Sequence, residues 1–108
     1  MAIATFWQRG EALDYKNTGD SVIEANTVIA YGARIGVAGG DIPAGELGSI
    51  HVEGVFALPK TDSEIAAGAE VYWDGSGVTA TAGSNVKAGY AAQAAASTDA
   101  TVLVKINA

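Results

Sequence analysis

Apolar side chains recur at every second position in several short segments of this 108-residue chain. The longest segment covers residues 49–58, where Ile50, Val52, Phe56 and Leu58 alternate with polar or smaller residues. Successive side chains of a strand point to opposite faces of a sheet, so this period predicts one strand with a buried face. Shorter segments with the same period lie at residues 71–73, 86–92 and 102–106, and in 86–92 the predicted buried face is Val86, Ala88, Tyr90 and Ala92.

Turn-forming residues separate these segments at intervals of about 8–12 residues, which is typical of an all-β sandwich or barrel. They lie at residues 17–20, 39–41, 74–77, 83–85 and 97–99. Gly32-Ala33 stands between two β-branched runs and predicts a tight hairpin. We expect a mostly β chain, a small single-domain antiparallel β-barrel or sandwich-like fold with at most one short helix.

The one helix that the sequence allows is short. Thr61 or Asp62 could cap it and Gly68 could end it. The alanine-rich residues 91–96 favour a helix by propensity, but the run is under two turns long, so we predict the end of a strand leading into a loop. Residues 41–45 and 64–68 resemble each other, and each precedes a predicted strand. We interpret them as a local device for entering a strand.

The predicted core is thin. The chain has 22 Ala and 14 Gly, whereas Val, Ile, Leu and Phe together number 24. Alanine and glycine bury little apolar area each, so a single domain of this composition is expected to gain stability by association.

The charge of the chain argues against several partners. Its net charge is −6, and its six basic residues are scattered. Binding to nucleic acid through phosphates needs clustered Lys and Arg, and binding to anionic membranes needs the same, so we expect neither. No apolar run approaches the roughly 18 residues of a spanning helix, and the first ten residues do not resemble a signal peptide. A cytoplasmically made protein is expected.

Enzymatic chemistry finds little support in the sequence. The one Lys-Thr pair, Lys60-Thr61, follows a proline and lacks the glycines of a phosphate-binding loop, so nucleotide binding is not expected. The chain has no cysteine, and its single histidine, His51, has no partners at the spacing of a metal site or triad. We expect no cofactor, no metal, no small-molecule substrate and no catalytic residues.

Two adjacent aromatics near the start of the chain are the candidate contact residues. Phe6 and Trp7 lie beside Arg9, and no turn or cap precedes Gly10. Large aromatics near a terminus can pack on their own subunit or anchor the segment to a partner. We expect an N-terminal arm of residues 1–10, a β-rich domain of residues 11–108, and contacts to a partner or to another subunit through Phe6, Trp7 and Arg9.

Seven stretches in order resemble the bacteriophage capsid cement, or head decoration, family. They are FWQRGEALDY (6–15), IGV (35–37), DIPAGE (41–46), VEGVFALPK (52–60), GAEVYWD (68–74), KAGYA (87–91) and TVLVK (101–105). The chain departs from the family at Glu24-Ala25-Asn26-Thr27, where relatives tend to have a Gly-Asp step, so this turn is expected to differ.

The resemblance implies a small β-rich domain similar to the lambda head decoration protein. It implies a homotrimer that binds the major capsid protein on the outside of the head and bridges neighbouring capsomers in the virion. Some members carry a recombinase-like label, which the missing nucleotide loop and basic patch argue against here. The alternatives are a phage tail or baseplate accessory protein, or a carbohydrate-binding β-module with Tyr72-Trp73 as platform. A small hydrolase would need a carboxylate pair such as Glu11 with Asp14 or Glu64 with Glu70.

Overall fold

Two antiparallel sheets make up the protein in a computed structural model that describes residues 2–61 and 64–108. The strands in this part of the chain are β1 (Ala12–Lys16), β2 (Val28–Tyr31), β3 (Arg34–Ala38), β4 (Leu47–His51), β5 (Val55–Pro59), β6 (Glu70–Trp73), β7 (Val78–Thr79), β8 (Val86–Ala91) and β9 (Thr101–Ile106). The first sheet has the order β1-β4-β3-β2 and the second has the order β5-β9-β8-β6-β7. The predicted mostly β, sandwich-like fold is confirmed, although the sheets do not close into a barrel.

The short helix predicted after Thr61 is wrong for the residues that the structure describes. Ile65 exchanges two backbone hydrogen bonds of 2.9 Å with Ala95, and this pairing holds it in an extended conformation. A turn follows, in which Gly68 has a φ of 81°. The proposed cap Asp62 and its neighbour Ser63 lie outside the described residues. The loop predicted beyond Ala91 is confirmed, since β8 ends there.

The single strand predicted over residues 49–58 is two strands in two different sheets. β4 ends at His51 and β5 begins at Val55. Between them Gly54 has a φ of 119°, which an L side chain rarely adopts, and its carbonyl accepts a hydrogen bond from Ile106 N–H. The chain thus crosses from one sheet to the other at a glycine that the alternating pattern concealed.

A bulge in β8 changes which side chains its second half buries. Val71 is paired with Gly89 and Tyr72 with Lys87, so Ala88 has no partner of its own in β6. Beyond this bulge Ala91 is buried and the predicted Ala92 is exposed. Val86 and Ala88 are at least partly buried, as predicted. The prediction for Ala92 is wrong, because an alternating pattern cannot reveal the extra residue of a bulge.

β3 is the strand on which both halves of the core meet. Ile35 and Val37 belong to a cluster that also contains Val71, Val104 and other residues of the second sheet. The opposite face of β3 packs inside the first sheet, where a Cβ on Gly36 would lie 2.8 Å from Cδ1 of Ile50. Each face of β3 is therefore covered, which explains why four of its five residues are buried.

The short turn that precedes a strand occurs three times within residues 2–61 and 64–108. The turns are Glu24–Thr27, Pro43–Glu46 and Ala66–Ala69, each closed by an N–H to C=O bond of 3.1–3.2 Å and each preceded by a bridging isoleucine. The third turn residue is Asn26, Gly45 or Gly68, with a φ of 70°, 77° or 81°. Asparagine tolerates this conformation better than other non-glycine residues, so the departure at 24–27 leaves the turn intact.

Asn107 ties the two sheets together immediately after β9. Its side-chain Nδ2 donates to the carbonyls of Ile35 (2.8 Å) and Val52 (2.9 Å), and its Oδ1 accepts from Ile35 N–H at 3.1 Å. Its own N–H donates to Ala88 at 2.8 Å. The residue reaches this position with a φ of 59°, another left-handed site where asparagine is favoured.

Asn107→Gly is expected to destabilise the fold by about 2–4 kcal/mol, because it keeps the backbone conformation but removes three hydrogen bonds of about 1 kcal/mol each and leaves their partners unpaired. Asn85→Ala is the matched control, since it removes one exposed side-chain bond to Thr81. Urea unfolding at one fixed protein concentration measures both. Equal stability of the two variants would contradict this role of Asn107.

Candidate functional site

The N-terminal segment lies on the outside of the sheets. Residues 2–10 are exposed and form no strand. Phe6 is 83% exposed and Trp7 is 88% exposed, so neither side chain packs into the core of this chain. Ile3, at 89%, adds a third large apolar side chain within five residues. Whether these side chains anchor the arm to a partner stays a prediction.

Few polar contacts hold this segment to the domain. Arg9 forms an ion pair of 3.0 Å with Glu11, and both side chains are more than half exposed. Gln8 Nε2 donates to the carbonyl of Ala12 at 3.4 Å. An exposed ion pair and one long hydrogen bond stabilise a single geometry only weakly.

A groove of about 350 Å³ lies at the base of the arm. It is lined by Gly10, Leu13, Tyr31, Arg34, Val52, Glu53 and Asn107. Leu13, Tyr31 and Val52 are partly buried and pack on the smaller core cluster, so they form an apolar floor. Arg34 and Glu53 are exposed and carry opposite charges.

A second, wider groove of about 640 Å³ follows the bridge between Ile65 and Ala95. Its lining consists mainly of alanines, with the carboxylates of Glu64 and Asp99. The Asp99 carboxylate accepts a hydrogen bond of 2.8 Å from Ala96 N–H, which fixes the loop between β8 and β9. None of the seven described residues that line the groove carries a hydroxyl, thiol or amine nucleophile.

His51 and Glu70, two residues considered for enzyme chemistry, contact side chains that have no catalytic role. His51 is exposed and its ring lies 5.8 Å from that of Phe56. Glu70 forms an ion pair of 3.1 Å with Lys87. Across residues 2–61 and 64–108, no three His, Asp or Glu side chains lie together as a metal site would require. The same residues contain no helix long and apolar enough to cross a membrane.

The Tyr72-Trp73 pair does not form a shared aromatic platform. Trp73 packs against the larger core cluster, whereas the Tyr72 hydroxyl donates to Glu70 at 3.4 Å on the opposite side of β6. Adjacent residues of a strand point to opposite faces, so the two rings cannot stack on one ligand. Trp73 is half-buried and packs against the core without belonging to it, so the prediction that at least one of them is a core residue holds only in part.

Asp74 is the one acidic residue in the described part of the chain whose pKa is clearly shifted. Its Oδ1 accepts from the N–H groups of Ser76 and Gly77 at 2.9 Å, and its Oδ2 accepts from the Thr61 hydroxyl at 2.9 Å. The backbone bonds from Ser76 and Gly77, then that from Thr61, hold the pKa of this carboxyl below its ordinary value of 3.8. The charged carboxylate thus closes the turn between β6 and β7.

Asp74→Asn is expected to lower the melting temperature at pH 7, because the lowered pKa means that the charged form stabilises the folded state at every pH above 3.8. This stabilisation is lost as the pH falls through the folded-state pKa, so the gap to the unsubstituted protein should close below pH 3.8. Asp14→Asn, at an exposed position of β1, is the control. A gap that stays constant with pH would contradict this assignment.

Comparison with known proteins assigns the chain to a family. A family model described as phage cement protein matches residues 7–106, which include every strand described above together with Trp7 and Arg9, while Phe6 lies one residue before the match. No curated protein matches the chain. No solved structure matches it. Cement proteins are structural components of the phage capsid, and the resemblance found in the sequence is confirmed. The chain belongs to the phage cement protein family.

Proposed function

We propose that this protein decorates the outer surface of a phage head as a homotrimer and stabilises the contacts between neighbouring capsomers. The observation that carries the proposal is the family match over residues 7–106. The major capsid protein is the partner, and the protein acts without catalysis, cofactor or nucleic acid. Many identical weak contacts, repeated over a shell, add up to a strong stabilisation.

The surface charge supports an outer position. The chain carries a net charge of −6, so it is repelled by packaged DNA and does not compete for it. A protein that strengthens the shell from outside needs contacts with protein only. The chain is flat, with extents of 43 × 42 × 23 Å, and has the shape of a plate that can cover a junction.

The exposed apolar residues support self-association. Leu47 is 64% exposed, Val55 is 54% exposed and Val22 is 51% exposed. Each is a large apolar side chain left in water, outside a core that consists mainly of Ile, Val and Leu. A symmetric assembly would bury such residues and add stability to the domain. The number three comes from the family resemblance.

The arm of residues 1–10 supplies the anchor in this proposal, and residues 11–108 supply the decoration domain. Phe6 and Trp7 are large apolar side chains left in water, with Arg9 beside them. Ordering the arm on binding costs conformational entropy, and burial of the two aromatics offsets that cost. Aromatic and arginine side chains contribute most of the binding energy at many interfaces, and Phe6, Trp7 and Arg9 are of these types.

Replacing Phe6 and Trp7 together with alanine is expected to weaken binding to expanded heads at least tenfold, about 1.4 kcal/mol. The β-domain should stay folded, because neither side chain packs into it. Co-sedimentation with heads that lack their decoration protein measures the affinity, and circular dichroism checks the fold. Asp14→Ala with Glu24→Ala is the control, since it also truncates two exposed side chains, at positions with no role in the proposed contacts.

Two results would count against the proposal. If the unsubstituted protein does not sediment with heads of its own phage, the decoration role fails. If it does, but a chain lacking residues 1–8 binds as tightly and keeps a mass about three times that of one chain in light scattering, the anchoring role of the arm fails while the decoration role stands.

A further inference from the structure

We propose that the groove at the base of the arm, lined by the seven residues given above, receives the Phe6-Trp7 segment of a second copy of this chain. This inference rests on the proposed function, because it names where the arm of one subunit binds in the assembly. The groove and the arm are adjacent on every copy, since Gly10 belongs to both. An exchange of arms between copies therefore brings each aromatic segment to the root of a neighbouring arm.

The lining of the groove suits an aromatic side chain. Its volume of about 350 Å³ lies at the small end of the range of about 300–1,000 Å³ found for concave binding sites. Leu13 and Val52 offer an aliphatic floor, and Tyr31 offers a ring for edge-to-face or offset contact. Arg34, whose Nη1 already donates to the carbonyl of Asn107 at 3.3 Å, places a guanidinium where it can lie over an indole face.

The arm carries a positive charge that is opposite to one of the two charged residues of the groove. Arg9 follows the two aromatics after one residue, Gln8, and the exposed Glu53 lines the groove. In the single chain Arg9 pairs with Glu11, but that pair is exposed and therefore weak. Arg9 of an incoming arm can exchange this partner for Glu53 at little cost, which fixes the direction in which the segment lies.

A second copy fits the groove better than the chain's own arm. Trp7 is only three residues from Gly10, and its side chain is 88% exposed although the groove lies beside it. Insertion of the chain's own Trp7 would require a sharp reversal at Gln8 and Arg9. An arm from a neighbour needs no reversal, and its aromatics lie three and four residues from Gly10, a reach of up to about 14 Å, so the roots of two exchanging arms must lie within that distance of each other's grooves.

Cysteine cross-linking between separately tagged chains tests this inference, because the natural chain has no cysteine. One chain carries Gln8→Cys, which keeps Phe6 and Trp7, and the other carries Glu53→Cys. Both positions are exposed. After mixing and mild oxidation, free and on heads, we expect a mixed disulfide dimer at least tenfold above the control pair. A disulfide forms only when the two Cα atoms come within about 7 Å.

Ser84→Cys replaces Glu53→Cys in the control pair. Ser84 is exposed in the turn that precedes β8 and does not line the groove. A chain carrying both Gln8→Cys and Glu53→Cys distinguishes the occupants, since insertion of its own arm gives a closed monomer instead of a linked dimer. A closed monomer, or a mixed dimer no more abundant than the control both free and on heads, would overturn the inference. Head binding measured in parallel reports on the decoration role separately.

Discussion

β3 makes the largest packing contact between the two sheets of this protein. β3 presents Ile35 and Val37 to the larger core cluster and Gly36 to Ile50 of its own sheet, so it is packed on both faces. The hydrogen bonds of Asn107 to Ile35 and Val52 then fix the angle between the sheets. Losing this polar contact would leave the backbone groups of the fully buried Ile35 without partners, so it adds to the packing of the Ile, Val and Leu side chains of the core.

Local patterns predicted much of the fold. The alternation of Val102, Val104 and Ile106 gave the correct buried face, and Gly32-Ala33 gave the hairpin between β2 and β3. Two errors have one cause. An alternating pattern shows which face of a sheet a side chain lies on. It does not reveal an extra residue in a strand, such as the bulged Ala88, or a residue where the chain leaves one sheet for the other, such as Gly54. The pattern Ile-X-Ala followed by Gly or Asn was visible at two of its three positions, and Asn26 concealed the third.

The candidate site was predictable only in part. The aromatics of the arm were visible in the sequence because two large rings precede a glycine with no capping signal. The groove was not, because its lining comes from four separate stretches of chain and includes Asn107, whose bonds to β3 and Val52 depend on the tertiary fold. Sequence periodicity identifies what a segment buries, whereas a concave surface depends on how distant segments meet.

Family membership and fold together describe a plate-like, acidic domain with an apolar arm that lies outside its own core. Such a molecule is suited to covering junctions on a protein shell. The most direct measurement is cryo-electron microscopy of expanded heads with and without the protein. The difference map should show added density on the outer surface where capsomers meet, with three chains at each position. Density confined to the tail, or no added density at saturating protein, would contradict the account.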